Sequence, residues 1–454
     1  MKIESVKYSA VKNSVWRFDP SFHLSEAVYV HQLLEKSPYK MSKVDCCSDR
    51  VFLGNIFSRN FVKDKEHGVP YLAASDTVLS DINTGAFLSK RQANELSYLM
   101  LEKDWILVTC SGTVGNVTYT NKCFENHIAT HDLIRIVPND KIVKRGCVYA
   151  YLSSKFGHCL LTQSEFGGVV KHINDEYVRN VPIPQFPTKF QEKVDNLIKE
   201  SARLREEANR FLNEAVSEFE KCLNPECYKR EFCTSTVSTK QILKKFNRLD
   251  SHYQIAQKEF VKRRKRGLKY EKIGSKAEKI FVGNRGKRLY SKEGVPFLSS
   301  SDMMLFNALR YSKNISVNTP SLKMMQVHKN EILISRSGTV GNSILIGDLL
   351  NEKAVSEHAL RLVLDEQKVN PSYVFAYLNT EEGRELLQSL AFGSVIITLG
   401  ENFVADIDLP ILDEQRQEKI IQKIDEYVRL ADKAAEKESS AISMVEKEID
   451  GWNA

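Results

Sequence analysis

A chain of 454 residues, 42% hydrophobic and 27% charged, is long for one core and accommodates two domains of about 150 to 200 residues each. Its 65 Lys and Arg against 58 Asp and Glu leave a net charge of +7, which permits a polyanionic partner without demanding one. No apolar run approaches the roughly 18 residues of a membrane span, and Met1-Lys2-Ile3-Glu4-Ser5-Val6-Lys7 lacks the apolar core of a signal peptide, so a cytoplasmic protein without membrane association is expected.

Taken in order, the chain opens a first unit at Trp16-Arg17-Phe18-Asp19-Pro20-Ser21-Phe22. Phe52-Leu53-Gly54-Asn55 and Gly68-Val69-Pro70-Tyr71-Leu72 follow, and then the β-branched run Trp105-Ile106-Leu107-Val108. The hexapeptide Ser111-Gly112-Thr113-Val114-Gly115-Asn116 comes next, with a second short apolar run, Val117-Thr118-Tyr119, behind it. This spacing predicts strand, glycine turn, strand, with Gly supplying backbone angles that residues carrying a Cβ avoid. Beyond Pro182, Pro184 and Pro187 the texture changes to a charged segment with apolar positions three and four apart: Phe190, Val194, Leu197, Ser201, Leu204, Ala208, Phe211 and Ala215. That stripe predicts a long helix with a coiled-coil seam, closed off before Pro225. Thr234-Ser235-Thr236-Val237-Ser238-Thr239 reads as a linker.

The sequence then starts again. Asn247-Arg248-Leu249-Asp250-Ser251-His252-Tyr253 opens a second unit, Phe281-Val282-Gly283-Asn284 matches Phe52 to Asn55, and Gly294-Val295-Pro296-Phe297-Leu298 matches Gly68 to Leu72. The hexapeptide returns unaltered, 226 positions on, as Ser337-Gly338-Thr339-Val340-Gly341-Asn342, between Ile332-Leu333-Ile334 and Ile344-Leu345-Ile346. A second stripe runs Ile421, Ile424, Val428, Ala431, Ala435, Glu438, Ile442, Val445, Ile449, with Glu438 interrupting the seam. An internal repeat of this kind fixes the organisation. The expected fold is α+β: two duplicated domains of mixed β-sheet plus helices, at residues 1–186 and 224–411 including the linker, with two long helices at 187–223 and 412–454 that pair as an antiparallel coiled coil. Each helix of roughly 35 residues would span about 50 Å.

Chemistry is sparse. Between Val261 and Lys292 stand thirteen basic residues against Glu271 and Glu278, beginning Lys262, Arg263, Arg264, Lys265, Arg266 and including Arg285, Lys287 and Arg288. Such density attracts phosphate and implies steep salt dependence; the bland alternative is a solvated helix face. The matching stretch of the first unit carries the weaker patch Arg59, Lys63 and Lys65. The repeated hexapeptide is no nucleotide-binding loop, because no Lys-Ser or Lys-Thr follows it at phosphate-loop spacing and no GxGxxG precedes a helix. It fits a backbone turn built on Ser111, Gly112, Thr113, Gly115, Ser337, Gly338, Thr339 and Gly341. Contact of its amides and hydroxyls with DNA phosphate is a further reading. His131 and Asp132 lie near the equivalent of His358, but the histidines align only with a one-residue slip, and local hydrogen bonding accounts for them. The nine cysteines all lie between Cys46 and Cys233; Cys222, Cys227 and Cys233 have poor zinc spacing, and reduced structural thiols are expected. No catalytic motif and no metal site is evident.

The duplicated hexapeptide, Arg248-Leu249-Asp250, Phe392-Gly393, and Leu409-Pro410-Ile411-Leu412-Asp413-Glu414-Gln415-Arg416 at the start of the second stripe together resemble the DNA specificity subunit of Type I restriction and modification systems. The resemblance covers essentially the whole chain. The first copy departs where Gln185-Phe186-Pro187-Thr188-Lys189-Phe190 replaces the Glu-Gln-Arg start, although Gln191-Glu192-Lys193 still faces Gln417-Glu418-Lys419. The resemblance implies a non-catalytic reader of double-stranded DNA, with one target recognition domain per half of a bipartite target. The paired helices would hold the halves roughly 15 base pairs apart at 3.4 Å per pair. It further implies two methylation subunits as partners, which use S-adenosylmethionine to methylate flipped adenines at N6, and a motor and nuclease restriction subunit; this chain would hold no cofactor. A stand-alone DNA-binding or scaffold protein of the same fold, without a methyltransferase, is the alternative, and copurification separates the two.

Overall fold

The structure, a computed structural model, describes residues 5–13, 18–163, 171–223, 236–244, 248–264, 267–283, 285–337, 340–393 and 397–453. Two compact units make up the chain: residues 1–206 with 433–454, and residues 207–432.

Among the described residues of the first unit ten strands form three sheets. β1 (Met41–Lys43) pairs with β10 (Pro182–Pro184). β2 (Ser48–Leu53), β6 (Ile106–Thr109), β7 (Val117–Tyr119) and β9 (Leu133–Pro138) form an antiparallel sheet in the order β2-β9-β6-β7. β3 (Phe61–Val62), β4 (Gly68–Leu72), β5 (Phe87–Ser89) and β8 (Ile128–Ala129) form a mixed sheet, β3-β5-β4-β8, whose last pair is parallel. The second unit repeats this topology strand for strand. β11 (Lys269–Lys272) pairs with β20 (Asp408–Ile411), and β12 (Ala277–Val282), β16 (Ile332–Ser335), β17 (Ser343–Leu345) and β19 (Ala359–Leu364) order as β12-β19-β16-β17. β13 (Tyr290–Ser291), β14 (Val295–Leu298), β15 (Lys313–Ile315) and β18 (Ala354–Val355) order as β13-β15-β14-β18. Registers coincide as well: Ile106 faces Ile136 as Ile332 faces Leu362.

The runs before the hexapeptide, Ile106-Leu107-Val108 and Ile332-Leu333-Ile334, are apolar throughout and fully buried, as in a sheet covered on both faces. Side chains alternate across a strand, so Ile106, Val108, Ile134 and Ile136 join the core that holds the helices Arg145–Ser153 and Lys155–Gln163. Leu107 and Leu133 point the other way, to Trp105 and Phe124.

The long helices run Thr188–Glu220 and Glu414–Asp450, and each unit holds a stretch of both, paired antiparallel. In the first unit Ser201 Oγ donates to the Ala434 carbonyl at 2.7 Å and Lys437 pairs with Glu200 at 3.0 Å. In the second, Lys423 pairs with Glu214, and Leu212, Ala215 and Phe219 share a core with Ile420 and Ile424. Burial departs from the simple seam: Ile198 and Leu212 are buried where the stripe predicted Leu197 and Phe211, because each helix packs on its unit's core as well as on the other helix. Glu438 breaks the stripe in sequence only. It is buried and accepts a hydrogen bond from Tyr149 Oη. Gln191 and Gln417 close the start of their helices identically, each donating to a carbonyl five residues back, Phe186 and Leu412, at 2.7 Å.

Among the described residues no helix is long and apolar enough to cross a membrane, and no cluster of His, Cys, Asp and Glu is arranged to hold a metal. Seven cysteines are free thiols; Cys227 and Cys233 lie outside the described residues. Burial pushes the Cys47 thiol up to about 11 and Cys110 to about 12, so both stay protonated and unreactive at neutral pH.

Candidate nucleic-acid interface

In each unit the hexapeptide joins a central strand of the antiparallel sheet to its edge strand, β6 to β7 and β16 to β17. Gly115 and Gly341 sit at φ of 85° and 97°, where a Cβ is strained, and Gly115 and Gly341 donate to the Thr109 and Ser335 carbonyls at 2.9 and 3.2 Å. Gly112 also has positive φ, and the Thr113 carbonyl accepts from Thr109 Oγ1. Gly338 and Thr339 lie outside the described residues. The turn thus leaves its leading serine, Ser111 or Ser337, at the edge of the sheet, where each bonds a side chain of the segment that follows β8 or β18.

In the first unit that partner is Asp132. Its Oδ1 accepts from Ser111 Oγ at 2.7 Å and its Oδ2 from Thr130 at 3.1 Å, and Arg59 Nη2 approaches Oδ2 at 3.6 Å. Arg59 also donates through Nε to Tyr71 Oη at 2.6 Å and through Nη2 to Thr130 Oγ1 at 3.2 Å, with its side chain 38% exposed. Beside it Ile56 and Phe61 are exposed large apolar side chains, and Lys63 and Lys65 are exposed on the segment between β3 and β4. His131 lies 3.5 Å from Asp132, packs edge-on against Phe57, and its buried Nδ1 makes no hydrogen bond.

In the second unit the serine's partner is a histidine: Ser337 Oγ and His358 Nδ1 are 3.0 Å apart. The carboxylate is Glu357, one residue earlier. It pairs with Arg288, whose guanidinium also lies 4.7 Å over the Phe297 ring, and it meets Arg285 Nε at 3.4 Å. Arg285 is 86% exposed, and Lys287 between the two arginines is exposed. Burial alone would raise the Glu357 carboxyl, but its own backbone N–H with Arg288 and His358 outweighs this and holds it below the ordinary carboxylate range. The pairing therefore adds stability above that range and loses it as pH falls through the lowered value.

The basic run after Val261 is placed differently. Lys262 and Arg263 end the helix Ser251–Arg263, with side chains outside the description, and Lys265 and Arg266 lie outside the described residues. Arg264 is paired with Asp408 and stacked 5.1 Å over Tyr270. Lys272 bonds Asp406 and Asp408 at 2.9 and 3.0 Å, while Lys269 and Lys276 grip Glu271 and hold its carboxyl down to about 2. Among the described residues of the run, Arg264, Lys269, Lys272 and Lys276 are thus answered within the unit, around β11 and β20. Of the sequence candidates, the structure gathers Arg59 with Ser111, and Arg285 with Arg288. It does not bring Arg264 to them. Asp132 and Glu357, which hold the arginines, are absent from the sequence-based site; the signal for them is that Arg59 and Arg285 share the repeat offset, as do the dipeptides His131-Asp132 and Glu357-His358.

A family model described as the Type I restriction modification DNA specificity domain matches residues 51–199 and 271–443, together more than half of the chain. No curated protein matches. Solved structures similar to this chain include the S subunit of a Type I restriction-modification system from M. genitalium, at 14% identity with 91% of this chain and 96% of that chain covered and a TM-score of 0.32. The HsdS subunit from Thermoanaerobacter tengcongensis is similar at 13% identity, covering 91% and 97%, with a TM-score of 0.28.

Proposed function

The chain belongs to the family of Type I restriction modification DNA specificity domains, and from that premise we propose that it is the DNA-reading subunit of a Type I restriction-modification complex, each unit reading one half of a bipartite target. The observation that carries this reading is the exact repetition of topology around a non-repeated surface. Two units share strand order and hexapeptide, yet differ in the loops that carry Arg59, Lys63 and Lys65 in one and Arg285, Lys287 and Arg288 in the other. A duplicated scaffold with diverged basic loops suits two half-sites of different sequence, with phosphate contacts setting position and base edges setting specificity. The paired helices offer the surface on which two methylation subunits would dock. Those partners would bring S-adenosylmethionine and the adenine N6 chemistry, and a motor and nuclease subunit would complete restriction; this chain supplies no catalytic group, and the complex would act in the cytoplasm.

Mapping modified adenines by long-read sequencing in cells with and without this chain tests the proposal. Loss of one bipartite, non-palindromic motif is expected; an unchanged map sinks it. The phosphate role has its own readout. Replacing Lys63 and Lys65 by alanine should weaken binding to every DNA sequence alike and lower the slope of log K against log salt by roughly 0.9 for each phosphate no longer neutralised. A fluorescence titration at several salt concentrations that returns the wild-type slope removes these lysines from the interface.

A further inference from the structure

The two clusters are built largely from equivalent positions, and among their differences, which include Val62 where the second unit has Arg288, one exchange moves a charge. Arg59 and Arg285, Tyr71 and Phe297, Ser111 and Ser337, Thr130 and Ser356 all correspond at the offset of 226 residues. The dipeptide after Thr130 is His131-Asp132; after Ser356 it is Glu357-His358, so acid and imidazole have traded places. Resting on the DNA-reading function proposed above, we infer that this dipeptide is the specificity-positioning element of each unit: it decides which guanidinium is fixed and which is presented to the bases.

The geometry gives the reason. In both units the second residue of the dipeptide lies beside the hexapeptide serine, Asp132 with Ser111 and His358 with Ser337. Where that residue is Asp132, the carboxylate sits under Arg59, and Tyr71 Oη and Thr130 Oγ1 complete a set of acceptors that fixes one guanidinium at its Nε and Nη2. Nη1 has no partner among the described residues and remains for a base edge. Where the second residue is His358, the serine is bonded to an imidazole and the carboxylate moves to the first position, 12% exposed. The neutral acceptors also vanish: Phe297 has no hydroxyl and Ser356 Oγ makes no hydrogen bond. Glu357 then takes Arg288, 27% exposed and stacked on Phe297, and leaves Arg285 held at Nε alone. A guanidinium fixed at Nε and Nη2 is preorganised to offer its remaining Nη1 to one acceptor on a base edge, such as guanine O6 or N7, whereas one held at Nε alone keeps both Nη groups and reaches further. One scaffold thus yields two readers.

Exchanging the dipeptides tests this in the full chain with its partner subunits. The first variant carries His131→Glu with Asp132→His, the second Glu357→His with His358→Asp. Modified adenines are mapped by long-read sequencing, and each purified variant is melted and titrated with DNA. We expect each exchange to lower modification of the wild-type motif roughly tenfold or more, the scale of misreading one base pair, with altered bases confined to one half and to opposite halves in the two variants. Erased modification in a variant that melts at the wild-type temperature and still binds DNA without sequence preference supports the inference equally, since that half is no longer read. An unchanged motif in both variants overturns it, as do changes in the same half from both exchanges. A variant that melts early also overturns it, because each order is already accommodated by the same scaffold in the other unit. A wild-type map that does not depend on the chain defeats the DNA-reading function itself, whereas a wild-type motif untouched by either exchange defeats this inference alone.

Discussion

Glu331→Ala is expected to destabilise the second unit by about 3–5 kcal/mol, the cost of breaking a buried ion pair from one side. Glu331 and Arg361 are each 5% exposed, and the guanidinium meets the carboxylate twice at 2.8 Å, through Nε and Nη2. Two further hydrogens go to the carbonyls of Met324 and Gln326 at 2.9 and 2.8 Å, and Phe281 lies 4.6 Å beneath. Alanine would leave a full charge in this space with only dipoles to answer it. The first unit carries such a charge without a carboxylate, but with the space filled differently: Trp105 occupies the position of Glu331, and the equivalent Arg135 is fully buried on the carbonyls of Ala129, Thr130 and Leu133, its Nε without a partner. Burial pulls Arg135 down to about 10, the mark of a charge held where it is poorly solvated. Hydrogen exchange at the amides of β16 and β19 should lose protection by about two to four orders of magnitude in the variant. Replacing Glu331 and Arg361 together by leucine and methionine should restore most of the loss, because no unpaired charge remains. Equal losses in the single and double variants would show that packing, and not charge, sets the cost.

What was legible in the sequence is what local pattern encodes. The hexapeptide, its flanking β-branched runs and the two stripes are short-range signals, and they locate β6, β7, β16, β17 and the long helices because period two and period 3.6 are written in consecutive residues. The repeat offset did more, since it transfers every element of one unit to the other. Partnership between distant residues is not written that way. Arg264 and Lys272 read as free charge until the fold brings Asp406 and Asp408 beside them, and Glu438 reads as a fault in a seam until Tyr149 arrives. The histidine slip between the repeats reads, in the sequence, as local hydrogen bonding. Only the positions of Arg59, Arg285 and Arg288 turn it into an exchange of acid and imidazole that moves a charge.

Gly157→Ala and Gly383→Ala test the duplication at a place where helix propensity and packing predict opposite signs. Each glycine is the third residue of a helix, Lys155–Gln163 or Glu381–Leu390, that turns sharply out of the helix before it. By propensity alone alanine would stabilise such a helix by about 0.5–1 kcal/mol. In the fold a Cβ on Gly157 would overlap the Tyr151 carbonyl oxygen and lie 2.6 Å from Leu152 Cα; on Gly383 it would overlap the Tyr377 carbonyl oxygen and lie 2.8 Å from Leu378 Cα. Backbone cannot yield as a side-chain tip can, so the two helices must part along a core that holds Tyr151 and Leu152, or Tyr377 and Leu378, fully buried. The net effect should be a loss of about 2–3 kcal/mol in each unit, overpacking outweighing propensity. Because the corner is the same in both copies, the two variants should lose stability to within about 1 kcal/mol of each other, each in its own unit, as read by hydrogen exchange at β6 and β9 or at β16 and β19. A stabilised variant in either unit would mean that the corner opens freely there, and that the two copies of the scaffold are not held by the same packing.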